Sequence, residues 1–219
     1  MRIEKYEKIG KDKYRLYLDN GEVIDTYDEV ILKNELLLKK ELTLSDYQKV
    51  MMESRIEEQY LACLKYIAVR IRSTKEIFDY LKRRNVIDED TELIIEKLAK
   101  NKALNDDYFC ECFIKDKLRF TTMGEYKIIN ELKRHQISDA VINKYAYLMN
   151  EDIMLEKIEK LVDKQIRSNR KLDNYKLRNK IYNHFYLILF SLSFLKIQNL
   201  LLYLLHVFLN LILMHLHTV

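Results

Sequence analysis

The chain has 219 residues, 48% of them hydrophobic and 33% charged, with no proline, three glycines and three cysteines. That length holds one or two ordinary domains with a core that needs no disulfide or metal, and the composition is that of a charge-rich helical protein, not a disordered one. The glycines (Gly10, Gly21, Gly124) exclude the glycine-rich phosphate loops, because neither GxGxxG nor GxxxxGK(S/T) can be written with them. They also speak against a turn-dense β sandwich or barrel.

The net charge of +4 sits at the end of the chain. Residues 1–173 hold 34 of the 38 basic residues and all 34 acidic ones, so bulk charge does not advertise a nucleic-acid binder. Cys63, Cys110 and Cys112 form an odd, sparse set that fits a reducing, cytoplasmic compartment and three packing thiols. Cys110-x-Cys112 has no second Cys/His pair at zinc spacing. The N-terminus has no apolar h-region, so no signal peptide is expected.

In chain order, residues 1–33 read as strands. Tyr14 to Leu18 alternates, Asn20-Gly21 follows, and Glu22 to Asp25 resumes. Asn-Gly between two such runs predicts a hairpin with a type I′ turn, and Ile3 to Lys8 is expected to add a third strand. From Asp28 to Leu38 the pattern turns helical through Val30, Ile31, Leu37 and Leu38. Ser45 is the expected N-cap of a long helix from Asp46 towards Ile71, with an apolar stripe at Val50, Ile56, Tyr60, Leu61, Leu64 and Ile67.

An internal repeat follows. Ser73-Thr74-Lys75-Glu76 is a capping box opening a helix with Ile77, Phe78 and Leu81, and with Val86 just past its end. The spacing recurs at Ile128, Ile129, Leu132 and Ile137, and again at Ile181, Tyr182, Phe185 and Phe190. A second amphipathic helix follows the first two copies (Glu92–Lys100 and Ala140–Leu148), and third helices start at Asn105-Asp106 and Asn150-Glu151-Asp152. The unit is three helices in about 50 residues, and stacked units of this kind bury faces that one unit cannot. The expected fold is mainly α: tandem three-helix repeats in an elongated, curved array behind a small N-terminal β element. The expected division is 1–45 for the β-rich extension and linker helix, 46–100, 101–150 and 151–190 for the repeats (the third incomplete), and 191–219 for an apolar tail.

No catalytic constellation appears; the carboxylates are interleaved with lysines along solvated helix faces. No catalytic, cofactor or metal residue is assigned, no small-molecule substrate is expected, and the chain reads as a non-enzyme. His206, His215 and His217 read as incidental, and His135 and His184 as cations at helix C-termini. Basic residues recur at the ends of equivalent helices. Arg70, Arg72, Lys82, Arg83, Arg84, Lys127, Lys133 and Arg134 are the candidate partner or DNA contacts, with ordinary dipole-complementing charge as the bland alternative. Tyr60, Tyr80, Tyr108 and Tyr126 fall at helical apolar positions and read as core or half-buried residues, not base-stacking platforms.

The stretch from Leu61 to Ile77, which includes Arg70-Ile71-Arg72-Ser73-Thr74-Lys75-Glu76, resembles the first-repeat signature of the RecX regulatory proteins. So do Leu104-Asn105-Asp106-Asp107-Tyr108-Phe109, Gly124 and Ile128-Ile129-Asn130-Glu131-Leu132. The resemblance covers roughly residues 1–186. It implies a monomeric regulator of DNA repair and recombination that binds RecA in its filament on single-stranded DNA and inhibits strand exchange and ATP hydrolysis, with weak DNA contact of its own. The rival is a helical DNA-binding or membrane-tethered adaptor unrelated to RecA. Two departures from the family stand out: Ile71 where a proline is common, and His135-Gln136-Ile137 where Lys-Gly-Ile is common. Without that glycine, His135 or Gln136 must close the helix at some cost. Residues 187–219 lose every acid and the repeat spacing. Three readings stay open for them: a reading-frame shift near codon 187, a buried helix, or a marginal membrane span.

Overall fold

The computed structural model describes residues 1–121 and 123–169, and beyond them 173, 175–177, 179, 180 and 183. Two compact units divide the chain, Met1–Asp106 and the part from Asp107 onward.

The first unit opens with three antiparallel strands in the order β1 (Ile3–Lys8), β2 (Lys13–Leu18) and β3 (Val23–Tyr27). Pairing sets Tyr6 against Leu16 and Leu16 against Ile24, so one face of the period-two pattern delivers Ile3, Leu16, Leu18 and Ile24 to a single core. The expected hairpin is present but its turn differs. Gly21 alone has positive φ, at 85°, whereas a type I′ turn needs two such residues. Leu18 accepts from the Gly21 amide at 3.0 Å and donates to Glu22 at 2.9 Å, which makes Asp19–Gly21 a three-residue loop.

Helix α1 (Asp28–Lys33) is shorter than its apolar pattern predicts. Glu35 turns left-handed at φ 52°, its amide and that of Leu36 return to Leu32 and Ile31, and Leu36 folds into the sheet core while Leu37 and Leu38 stay exposed. The long helix α2 spans Leu44–Val69. Its N-cap is Thr43, not Ser45: the Asp46 amide donates to Thr43 Oγ1 at 3.1 Å and the Thr43 amide donates to Asp46 Oδ2 at 3.0 Å. This reciprocal box satisfies two orphan donors at once and places Ser45 inside the first turn.

The N-terminal half of α2 covers the sheet through Val50, and its C-terminal half supplies Tyr60 and Cys63 to a second core. That core is completed by α3 (Thr74–Arg83) and α4 (Asp88–Lys100). α3 starts at the Ser73 capping box as its sequence predicts. α4 starts four residues earlier than expected, with Asp88, Glu89 and Asp90 in its first turn, where carboxylates complement the helix dipole.

The second unit repeats the plan with α5 (Asp106–Phe120), whose first residue closes unit one, α6 (Glu125–Arg134) and α7 (Asp139–Tyr145), the last running into a 3₁₀ turn at Ala146–Met149. α3 and α6 are both ten residues long and start 51 positions apart. The same offset pairs the buried residues Cys63 with Ile114, Ile77 with Ile128, Leu81 with Leu132, Thr91 with Ile142 and Leu98 with Met149. Burying each such aliphatic side chain contributes roughly 1.5–3 kcal/mol. The fold is therefore mainly α, with tandem three-helix repeats behind a small sheet. Helix α8 (Glu151–Ser168) follows. The third-repeat pattern at Ile181, Tyr182, Phe185 and Phe190, the histidines from His184 on, and the apolar tail lie outside the described residues.

Candidate functional site

The candidate cations separate into groups with different surroundings. In the first unit, Arg70 caps the end of α2 and pairs bidentately with Glu76, one bond being 3.1 Å. Arg72 reaches the same carboxylate at 3.5 Å, and Glu76 also accepts from the Ser73 amide at 3.2 Å. One side chain thus holds the N-terminus of α3 and two arginines. Arg72 is largely buried, with its Cζ 3.8 Å from the centre of the Tyr66 ring. Tyr66 stacks on Tyr80 at 4.3 Å and 7°, and Arg84 lies over Tyr80 at 5.6 Å. Arg72, Tyr66, Tyr80 and Arg84 form one column.

Lys82 and Arg83, beside Arg84 in sequence, are exposed and make no ion pair among the described residues. All three residues of the basic triplet are exposed, but only Arg84 joins the column. Lys82 and Arg83 correspond through the 51-residue offset to Lys133 and Arg134 in the second unit. Lys133 pairs with Asp139 at 2.9 Å. Arg134 and Lys127 are exposed and carry no ion pair among the described residues.

His135 is not a bare capping cation. It sits at the C-cap of α6 with its ring 5.1 Å from Phe109 and 5.4 Å from Phe113. Tyr60 is buried and Tyr80 half-buried as expected, but Tyr108 and Tyr126 are exposed. Cys63 and Cys110 are buried and Cys112 half-buried, all free thiols. Burial pushes the Cys63 thiol up to about 11.

An ionic cluster around the buried Glu57 joins α2 and α4 to the exposed Glu29 at the start of α1. Lys97 donates to Glu29 at 2.8 Å and to Glu57, and lies 4.3 Å from the Tyr60 ring centre. Burial raises the Glu57 carboxyl against the opposing pull of Lys97. Burial also works against the Lys97 charge, but its bonds to Glu29 and Glu57 hold its pKa above the ordinary value. Nothing in the residue pattern marks this cluster, because Glu57, like Ser54, stands in the buried stripe of α2 as a polar interruption. Lys11, Lys13 and Lys65 were likewise missed; sheet packing on α2 brings them to one cleft with Arg84. Among the described residues no group of three or more His, Cys, Asp or Glu is placed to hold a metal, and no helix is long and apolar enough to cross a membrane.

This build, two three-helix units in tandem with solvent-facing cations at repeated positions, defines a helical-repeat protein. Comparison with known proteins shows what it is similar to. Residues 60–98, which span the end of α2 through α4, match the family description of the first three-helix domain of RecX. The regulatory protein RecX of Enterococcus faecalis is 28% identical over 135 residues, covering 60% of this chain and 51% of that protein. The RecX of Oceanobacillus iheyensis is 28% identical over 181 residues, covering 80% and 66%. A crystal structure of a regulatory protein RecX superposes with a TM-score of 0.75 at 19% identity, covering 90% of this chain and 98% of that one. RecX from Lactobacillus salivarius gives 0.57 at 23%, covering 68% and 96%; both structural likenesses speak to the fold. The chain is similar to RecX regulatory proteins in sequence and in fold, and it spans about half to two thirds of the length of the curated relatives it matches.

Proposed function

We propose that the chain is a regulator of DNA repair and recombination that binds RecA in its filament on single-stranded DNA and inhibits ATP hydrolysis and strand exchange. It acts by binding, in the cytoplasm, as a monomer and without catalysis or a cofactor. Similarity to relatives that carry the name regulatory protein RecX supports a regulatory role. The observation that carries the reading to a polymeric partner is the recurrence of Lys82-Arg83 at Lys133-Arg134 on equivalent helices. Cations repeated at one position of a tandem unit suit a partner that itself repeats, and three of the four make no ion pair among the described residues. In this reading the repeats span 46–100, 101–150 and 151–190, and the protein occupies the filament groove, hindering the subunit rearrangements that accompany ATP turnover.

Co-sedimentation with preformed RecA filaments tests the binding step. The chain is expected in the pellet only when RecA is present. Charge reversal at Lys82, Arg83, Lys133 and Arg134 is expected to return it to the supernatant with its helical circular dichroism unchanged. Pelleting that ignores the reversal contradicts the assigned surface, and a chain that never pellets contradicts the partner.

A further inference from the structure

Between the N-terminal sheet and the first three-helix repeat lies a cleft with a volume of about 740 Å³. Two lysines on its wall, Lys11 and Lys65, are exposed and make no ion pair among the described residues. A third, Lys13, is held loosely, 4.0 Å from Asp25. Arg84 commits its Nε to Gln59 Oε1 at 2.6 Å, while its two terminal nitrogens make no hydrogen bond among the described residues. A guanidinium anchored at one nitrogen with its fork open is arranged to receive a phosphate bidentately. Asp12 and Glu58 share the wall, and the four cations outnumber them.

The same arginine ends the aromatic column. Tyr66 lies between Arg72 and Tyr80, and Tyr80 between Tyr66 and Arg84, so the tyrosine faces are already occupied. The guanidinium plane of Arg84 is the surface left at the cleft end, and flat bases stack on such planes. An anion site beside a stacking surface matches a nucleotide unit, with phosphate and ring on one frame. An acidic peptide would meet the lysines but leave the end of the column without a planar partner.

We infer that this cleft binds a nucleotide unit, its phosphate between Arg84, Lys11 and Lys65 and its base stacked at the Arg84 end of the tyrosine column. The site does not depend on RecA being the protein partner. Its source, a free nucleotide or a single strand, is separated by competition.

The test is fluorescence anisotropy of a short labelled oligothymidylate with the full chain, at low salt and with no other protein. Saturable, salt-sensitive binding is expected. Arg84→Gln and the surface double variant Lys11→Ala/Lys65→Ala are each expected to weaken it about tenfold or more. Arg84→Lys is expected not to restore it, because the fork is lost while the charge stays. Lys160→Ala on α8 is expected to leave it unchanged. Displacement by ATP assigns the site to free nucleotides, and displacement by unlabelled oligonucleotide alone assigns it to a strand; either supports the inference. Absence of binding overturns it. So does wild-type affinity in the folded double variant, or displacement by polyglutamate as readily as by oligonucleotide.

Discussion

Asn85 and Gln136 stand 51 positions apart and hold the same left-handed backbone, with φ 58° and 59°. Each closes the equivalent helix by the same pair of bonds: Asn85 to Lys82 and Val86 to Leu81, Gln136 to Lys133 and Ile137 to Leu132. This Schellman geometry favours glycine, and a side chain in that conformation costs about 1 kcal/mol, less for asparagine. Gln136→Gly is therefore expected to stabilise the chain by about 0.5–1 kcal/mol and Asn85→Gly by less. Urea midpoints at constant slope measure both; destabilisation by Gln136→Gly would refute the assignment of strain.

Lys97 neutralises Glu57 inside the first unit. Removing it by Lys97→Ala leaves a buried carboxylate with no counter-charge and is expected to cost about 3 kcal/mol at neutral pH. Burial raises the Glu57 pKa in the folded state, so the folded protein takes up that proton more readily than the unfolded chain. The penalty is accordingly fullest above the raised folded value and fades as the pH falls towards the ordinary carboxylate range. Unfolding of Lys97→Ala at descending pH should show the deficit shrinking, and Glu57→Gln in that background should recover most of it at neutral pH.

The three thiols differ in reach. Under native conditions at mildly alkaline pH, iodoacetamide is expected to modify Cys112 first, because Cys63 and Cys110 are buried and the raised Cys63 pKa leaves little thiolate. All three are expected to react in urea. Because folding raises the Cys63 pKa from 9.0 to about 11, its contribution to stability is present below pH 9 and lost as the pH climbs through 11. Cys63→Ala should flatten that part of the alkaline decline. Mass spectrometry of the labelled peptides checks the order.

Glu76 ties Ser73, Arg70 and Arg72 to the start of α3. Glu76→Ala is expected to cost about 1–2 kcal/mol through the lost cap and the loosened arginines. Glu76→Gln, which keeps the acceptor for the Ser73 amide, should cost less; equal losses would mean the ion pairs dominate.

The repeat was legible because its signals are local. Ile77, Leu81, Ile128 and Leu132 recur at helical spacing, and Ser73 and Glu76 announce a helix start on their own. Thr43 and Ser45 both precede an apolar run, and only the reciprocal bond to Asp46 decides between them. Buried polar contacts stayed hidden for a different reason. Ser54 meets Thr26 at 2.6 Å across 28 residues, and Arg55 meets the buried Asp90 at 2.6 Å across 35, neither encoded by spacing. The cleft around Arg84 was illegible in the same way, since Lys11 reaches it only when the sheet docks on α2.

The most direct test of the regulatory reading is RecA ATP hydrolysis on single-stranded DNA with this protein titrated in. Hydrolysis is expected to fall at protein concentrations below that of RecA. An unchanged rate in the presence of a demonstrably folded chain would contradict it.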